Sequence, residues 1–384
     1  MKKDFFKDSK IKFPAYEPWI SGDDKKIINK TLSQSMLTLG PQLEKFEADF
    51  CKYSKSKYAV AVSNCTAALH LSLMALGIGN NDEVIIPDLT FVADANAILA
   101  CNAKPVVADI NKENFFLSIS NVKKNITKKT KAIIPVHIYG QVCNIEEILD
   151  LAKDHNLKVV EDCAHAIGTF HKSKHVGTLG NTGCFSFYPT KNITTAEGGM
   201  VTTNSKEIAE KVRQLRSHGM TKSLKNRYSS EYPWIFDIID PGYNYRLDEI
   251  RAALGITQLK RIKKINDLRH KASSYYHKNL QNIPGIILPD MKNDKSHSYH
   301  LYTIRIKSPY KLSRNQLFKK LKDCGIRTTV YWMPLHMYTA YKKFTSQSNV
   351  KNTSKMYEEI LALPLFPNIS KIHQDSVIKV IKSF

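Results

Sequence analysis

Three short stretches carry residues that can do chemistry together. Val159-Val-Glu-Asp-Cys-Ala-His165 ends an apolar run on an acid, Asp162, with a histidine three residues further on. Gly183-Cys-Phe-Ser-Phe-Tyr-Pro-Thr-Lys-Asn192 passes through Ser186 to Lys191, and Glu197-Gly-Gly199 follows it. Ser63-Asn-Cys-Thr-Ala67 lies between a strand pattern and a helix pattern. Singly, each has an ordinary explanation. An acid at a strand end caps the next helix, a lysine in a basic chain lies on the surface, and glycines make a turn. Together they suit one chemistry better. An Asp at the carboxyl end of a parallel strand sits where open α/β sheets place ligands, and a Lys after a later strand reaches the same crevice. An Asp facing a Lys across a flat ligand is what pyridoxal 5′-phosphate (PLP) requires: an amine to attach it and a partner for its ring nitrogen. The Ser63–Ala67 turn adds a phosphate cup, built from backbone N–H groups around Cys65, Thr66 and Ala67 and from the Thr66 hydroxyl. It lacks GxGxxG and the Walker lysine, so dinucleotide and P-loop readings fit poorly.

The elements that must position these residues are short apolar runs alternating with helical patterns from about residue 57 to 204. Strands are expected at Tyr58–Val62, Glu83–Ile86, Pro105–Ala108, Ala132–Val136, Lys158–Glu161, Cys184–Phe187 and Gly199–Thr203. Helical spacing falls at Ala67–Leu76, Phe91–Leu99 and Ile145–His155. Continuous apolar strands separated by helices indicate a mainly parallel sheet covered on both faces. Past Gly219 the pattern changes. Residues 221–245 read as a long, aromatic loop, 247–280 as one connecting helix, and the remainder as a smaller α+β unit with a strand at Ser298–Ile306 and a helix near 313–323. The expected division is an N-terminal segment at 1–35 that packs with the small domain, a large α/β domain at 36–250 and a small C-terminal α+β domain at 251–384.

Bulk properties narrow the class. A chain of 384 residues with 42% hydrophobic content buries a core without staples and is neither disordered nor low-complexity. Lys and Arg outnumber Asp and Glu by 57 to 35, a formal +22. The lysines are scattered in short pairs, with no basic tail or aromatic-interleaved stripe, which reads as a solvated surface rather than a nucleic-acid footprint. Seven cysteines without a CxxC pair give no metal-ligand spacing and no disulfide framework. The first nineteen residues carry charges throughout, and no uncharged apolar run reaches membrane-spanning length, so a cytoplasmic protein without membrane insertion is expected.

Collinear motifs extend the pattern beyond the three stretches: Pro87-Asp-Leu-Thr-Phe91, Val136-His-Ile-Tyr-Gly140, Gly242-Tyr-Asn-Tyr-Arg246, Pro334-Leu-His336 and Ala362-Leu-Pro-Leu-Phe-Pro367. In this order, from Leu39-Gly-Pro41 onward, the chain resembles the DegT/DnrJ/EryC1/StrS family of PLP-dependent sugar aminotransferases. The resemblance implies the fold of type I PLP enzymes. It makes Lys191 the Schiff-base lysine, Asp162 the carboxylate on the pyridine nitrogen and His165 a neighbour of the ring hydroxyl. Phe91 then stacks on the ring, and Thr66 and Ser186 hold the phosphate. Asn244 reaches the cofactor of a neighbouring subunit, so a homodimer with shared active sites is implied, while Tyr188, Arg246 and His336 fall with the substrate. The implied reaction moves an amino group from an amino acid, usually glutamate, to a nucleotide-linked keto-sugar, most often a 4-keto-6-deoxyhexose, in amino-sugar and surface-glycan or lipopolysaccharide biosynthesis. Sugar dehydratases on this scaffold carry a His in place of the lysine, so Lys191 favours transamination. Relatives acting on cyclitol ketones or making an aminobenzoate remain as alternatives. A PLP-binding regulator would need a DNA-binding domain, for which 35 residues are too few.

Overall fold

The computed structural model describes residues 11–221, 231–291, 296–345 and 350–384. Seven strands form the main sheet: β1 (Tyr58–Val62), β2 (Glu83–Pro87), β3 (Lys104–Ala108), β4 (Thr130–Ile133), β5 (Lys158–Asp162), β6 (Thr182–Ser186) and β7 (Gly199–Thr203). Successive side chains of a strand point to opposite faces, and here both faces are apolar. Val60, Val84, Val160, Cys184 and Val201 enter one core, while their sequence neighbours Ala61, Ile85, Val159, Phe185 and Met200 enter cores on the other face. This double burial is why the strands read as unbroken apolar runs.

The strand order is β1-β7-β6-β5-β4-β2-β3. Strands β2 to β6 pair in parallel, whereas β7 runs antiparallel to both β6 and β1. The sheet is therefore mixed, because β6 returns to β7 through the compact 187–198 loop rather than through a crossover helix. Helices α1 (Gly22–Leu32), α2 (Pro41–Ser54) and α3 (Cys65–Ala75) lie in the N-terminal part of the chain. The single helix expected at 247–280 is instead two, α4 (Glu249–Lys260) and α5 (Ile262–Leu280). Arg261 breaks the run: its guanidinium is drawn to Asp24, at 2.6 Å, and to the Trp19 carbonyl, which ties α1 to the junction. The strand expected at Ser298–Ile306 is confined to Tyr302–Ile306. It sits centrally in a three-stranded antiparallel sheet with Ile286–Ile287 and Ile360–Leu363. A separate core of Tyr276, Tyr302, Leu317, Leu321 and Val377 covers that sheet. At the other end of the chain, Phe13 bridges to Ile326, while α1 packs along α4. Among the described residues no helix is long and apolar enough to cross a membrane.

Glycine decides how closely β7 approaches α3. A Cβ on Gly199 would lie 2.5 Å from the Asn64 carbonyl group and 2.9 Å from the Cys65 nitrogen, all backbone atoms that cannot swing aside. Gly199→Ala is expected to lower stability by about 1–3 kcal/mol, the usual cost of overpacking a close-packed site. The drop in urea midpoint should come at unchanged slope. A midpoint equal to wild type would mean that this contact is loose.

Candidate active site

The carboxyl ends of β5 and β6 and the amino end of α3 converge on a cavity of about 690 Å³. At the close of β5, Asp162 pairs in register with Cys184 on β6, two residues before Ser186. The chain then turns through the 187–198 loop, stitched by Thr195 N–H to the Phe187 carbonyl and Phe187 N–H to the Gly198 carbonyl, and this loop carries Lys191. Parallel pairing thus brings two residues 29 positions apart in sequence to one crevice.

The start of α3 is arranged for an anion. Asn64 is its N-cap, and its side chain accepts the Ala67 N–H at 2.8 Å. That bond occupies Ala67, which the sequence placed among the phosphate donors. Among the described residues the Cys65 and Thr66 amides have no acceptor from the chain, as expected for the first turn of a helix. Cys65, Thr66 and Ser186 all line the cavity. Backbone N–H groups at the positive end of a helix, flanked by two hydroxyls, suit a phosphate.

Asp162 is buried and has one internal donor, the Ala164 N–H at 2.8 Å. Burial raises its pKa, and the Ala164 bond and the Lys191 charge oppose that. Lys191 retains some exposure toward solvent, yet burial lowers its ammonium pKa to about 8, with the Asp162 charge acting against the fall. Burial thus favours the neutral form of each group while each charge favours the charged form of the other, and burial leaves the Lys191 amine nucleophilic and basic near neutral pH.

His165 is held as a neutral donor. The Tyr139 N–H points at its Nδ1 from 3.2 Å, and an amide N–H can only donate, so the ring proton sits on Nε2. Burial, and after it the Lys191 charge, pushes its pKa well below the usual range. Phe91 covers one side of the cavity, 48% exposed, with its ring 4.8 Å from that of Trp332.

Eight of the expected site residues therefore line one cavity: Lys191, Asp162, His165, Cys65, Thr66, Phe91, Ser186 and Tyr188. Three do not. His336 is buried at the surface of the main core, where its Nδ1 lies 2.6 Å from Asp88 and its Nε2 meets Ser354. It braces the Pro87–Phe91 turn rather than facing the cavity. Asn244 and Arg246 lie on the 242–246 segment, which is fastened to its own chain by a Ser217–Asn244 bridge and by Ser63 N–H to the Tyr245 carbonyl. Asn244 itself is exposed. Thr90 and Ile138 join the lining from two of the quoted motifs, whereas Tyr16, Tyr331 and Trp332 join it without any motif to announce them. Directly beneath, His137, Glu161 and Cys163 form a buried cluster. Glu161 there accepts His137 Nε2–H and the amides of Gly177, Leu179 and Gly180, so its oxygens are already satisfied by the chain.

These parts fit PLP. Open amides and hydroxyls suit its phosphate, an underpartnered buried carboxylate its ring nitrogen, a low-pKa amine its carbonyl carbon, and a fixed N–H donor its ring oxygen. Comparison with known proteins agrees. Residues 18–382 match the DegT/DnrJ/EryC1/StrS aminotransferase family. The chain is 38% identical to the spore coat polysaccharide biosynthesis protein SpsC of Bacillus subtilis, over 96% of each chain. It is 35% identical to the GDP-perosamine synthase of Vibrio cholerae, over 97% of this chain and 98% of that one. Among solved structures, the PMP form of the putative sugar aminotransferase Spr1654 from Streptococcus pneumoniae superposes with a TM-score of 0.90 at 29% identity, covering 97% of this chain and 98% of the other.

The Lys191–Asp162 balance is measurable without turnover. After reductive methylation with labelled formaldehyde, the Lys191 resonance should titrate near 8, well below the usual lysine range. In Asp162→Asn it should titrate lower still, because the carboxylate charge that favours the ammonium is gone. A Lys191 signal titrating with the surface lysines would contradict the assignment.

Proposed function

We propose that this chain, which belongs to the DegT/DnrJ/EryC1/StrS aminotransferase family, moves an amino group from L-glutamate to the keto group of a nucleotide-linked sugar, a 4-keto-6-deoxyhexose. The family is PLP-dependent, and its members include sugar aminotransferases. The observation that carries the reading is the Asp162–Lys191 pair, set in one cavity with the unpartnered first amides of α3. The sugar substrate is supported by two relatives, one named for spore coat polysaccharide biosynthesis and one for synthesis of a GDP-linked sugar. The product then serves surface-glycan or lipopolysaccharide assembly, with the reaction in the cytoplasm.

When bound, PLP supplies an electron sink for the charge left on the donor's α-carbon. The protein's groups do the rest. Cys65 and Thr66 amides and the Thr66 and Ser186 hydroxyls hold the phosphate, and Phe91 covers the ring face. Asp162 keeps a proton on the ring nitrogen, since a negative charge in a buried site raises the pKa of a neighbouring base. His165 donates Nε2–H to the ring oxygen without bringing a positive charge of its own. Lys191 would anchor the cofactor through Nζ, and its amine is placed to take the proton from the donor's α-carbon as general base and to give it up again as general acid. Tyr188, at the cavity wall, and Arg246 contact the sugar nucleotide. His336 acts from behind, through Asp88, on the turn that carries Phe91.

The working unit in this reading is a homodimer whose sites combine both chains. The 231–243 segment exposes Trp234 (70%), Ile235 (57%), Ile238 (53%) and Ile239 (59%) in close succession. Contiguous exposed apolar residues of this kind mark protein interfaces. Of the aromatics the sequence pointed to there, Tyr228 lies outside the described residues. Asn244 follows at the end of the same exposed stretch, and in this reading it serves a partner's phosphate rather than its own.

Two experiments test the proposal. The purified protein, incubated with glutamate and a panel of nucleotide-linked keto-sugars, should release 2-oxoglutarate with a 4-keto-6-deoxyhexose, and borohydride should fix the cofactor on the Lys191 peptide. Label on another lysine, or no release with any sugar, would falsify the reading. Lys191→Ala and Asn244→Ala homodimers should each be impaired, yet refolding them together should regain activity. Both lesions then fall in one site of the mixed dimer and leave the other intact. If Asn244 serves its own chain, every mixed site carries a lesion and nothing is regained.

A further inference from the structure

His300 lies in the strap that enters the small sheet, more than a hundred residues from Lys191, and no motif singles it out. Its backbone is pinned from behind: the buried Arg269 donates from one nitrogen, Nη1, to the carbonyls of Tyr299 (3.3 Å), His300 (3.1 Å) and Leu365 (3.2 Å). From the front, Ser298 N–H bonds the Gly140 carbonyl at 2.8 Å. Gly140, with φ of 97°, leaves room for the strap, since a Cβ there would lie 2.6 Å from Ser298 Oγ and 2.9 Å from the His300 nitrogen. The strap is thus held on two sides before its side chains do anything.

The His300 ring then touches two site residues at once. Its centroid is 4.4 Å from that of His165, and its Nδ1 is 3.3 Å from Asn192 Oδ1. The direction of the second contact is fixed. Asn192 Nδ2 lies 3.0 Å from the Ser298 carbonyl, which can only accept, so Oδ1 must face His300 and the His300 proton must be on Nδ1. Asn192 also donates to Asn266 at 2.7 Å, so the residue next to Lys191 is anchored to the strap and to α5 together.

We infer that His300 is a positioning residue for the reaction: its ring fixes the plane of His165 with Nε2–H as donor, and its Nδ1–H fixes Asn192 and with it the backbone of Lys191. Burial pushes the pKa of both rings well below the usual range, which suits two neutral rings in contact and leaves Lys191 as the titrating base beside them. The inference rests on the cofactor reading for what His165 donates to, but the geometry of the two rings does not.

The test separates the two contacts. His300→Phe keeps a ring against His165 and loses the bond to Asn192; His300→Gln keeps a donor for Asn192 and loses the ring. In protein labelled with ¹⁵N-histidine, the His165 ring resonances should keep their positions and widths in wild type and His300→Phe, and shift or broaden in His300→Gln, where the ring plane is no longer held. PLP affinity should fall about tenfold in His300→Phe, the effect of one lost hydrogen bond, and recover in His300→Gln. The visible band of the bound cofactor should move in His300→Gln, where the donor to its ring oxygen is no longer held. Unchanged His165 ring resonances in His300→Gln, or equal affinity and spectrum in both variants, overturn the inference. Wild type that binds no PLP on Lys191 overturns the functional proposal instead, and the ring-resonance measurement still decides the role of His300.

Discussion

A carboxylate and an amine, delivered by neighbouring parallel strands to one partly closed cavity, are the constraint around which the rest of the structure is arranged. Removing a charge from water is costly unless an opposite charge or a set of donors compensates it. Asp162 has one backbone donor and Lys191 for company, so its charge is held only while a cation stands nearby. Lys191 in turn is pushed toward neutrality by burial. A site balanced in this way has room for a third charged group, the protonated ring nitrogen of a cofactor, which the carboxylate is placed to stabilise.

The two histidine rings beside the site add no further charge to it. His165 and His300 are both buried and both held as neutral rings, one by an amide that can only donate and the other by an amide oxygen that can only accept. Beneath them Glu161 is charged but spent, its oxygens taken by His137 and three backbone amides. The first turn of α3 presents backbone dipoles rather than lysines to the cavity. This is notable in a chain with 57 basic residues, and it separates the site's chemistry from the basic surface.

The smaller sheet contributes through straps and not through its core. The 296–301 segment reaches back to Gly140, His165 and Asn192, while Tyr331 and Trp332 line the cavity, with Trp332 against Phe91. The 88–91 turn is braced by His336 from the same C-terminal part. Movement of one unit against the other would therefore disturb the orientation of the histidine, of the lysine's neighbour and of the aromatic wall together.

The sheet was legible in the sequence because a strand buried on both faces leaves an unbroken apolar run, as in Tyr58–Val62 and Glu83–Ile86. The chemical core was legible for a related reason. Asp162, Ser186, Lys191 and the Ser63–Ala67 turn all sit at the ends of such runs, where backbone topology alone brings them to one edge. What the sequence could not disclose depends on contacts between distant segments. A lone histidine such as His336 reads the same whether it faces a substrate or, as found, an aspartate 248 positions away. The break at Arg261 follows from Asp24, and the occupation of Ala67 N–H from the rotamer of Asn64. Tyr16, Trp332 and His300 reach the site from three separate stretches without periodicity or spacing to mark them. Chain-local pattern determined which residues end the strands; only packing of the second sheet against the first decided which others stand around them, because those contacts are set by side-chain shape and hydrogen-bond direction across long sequence separations.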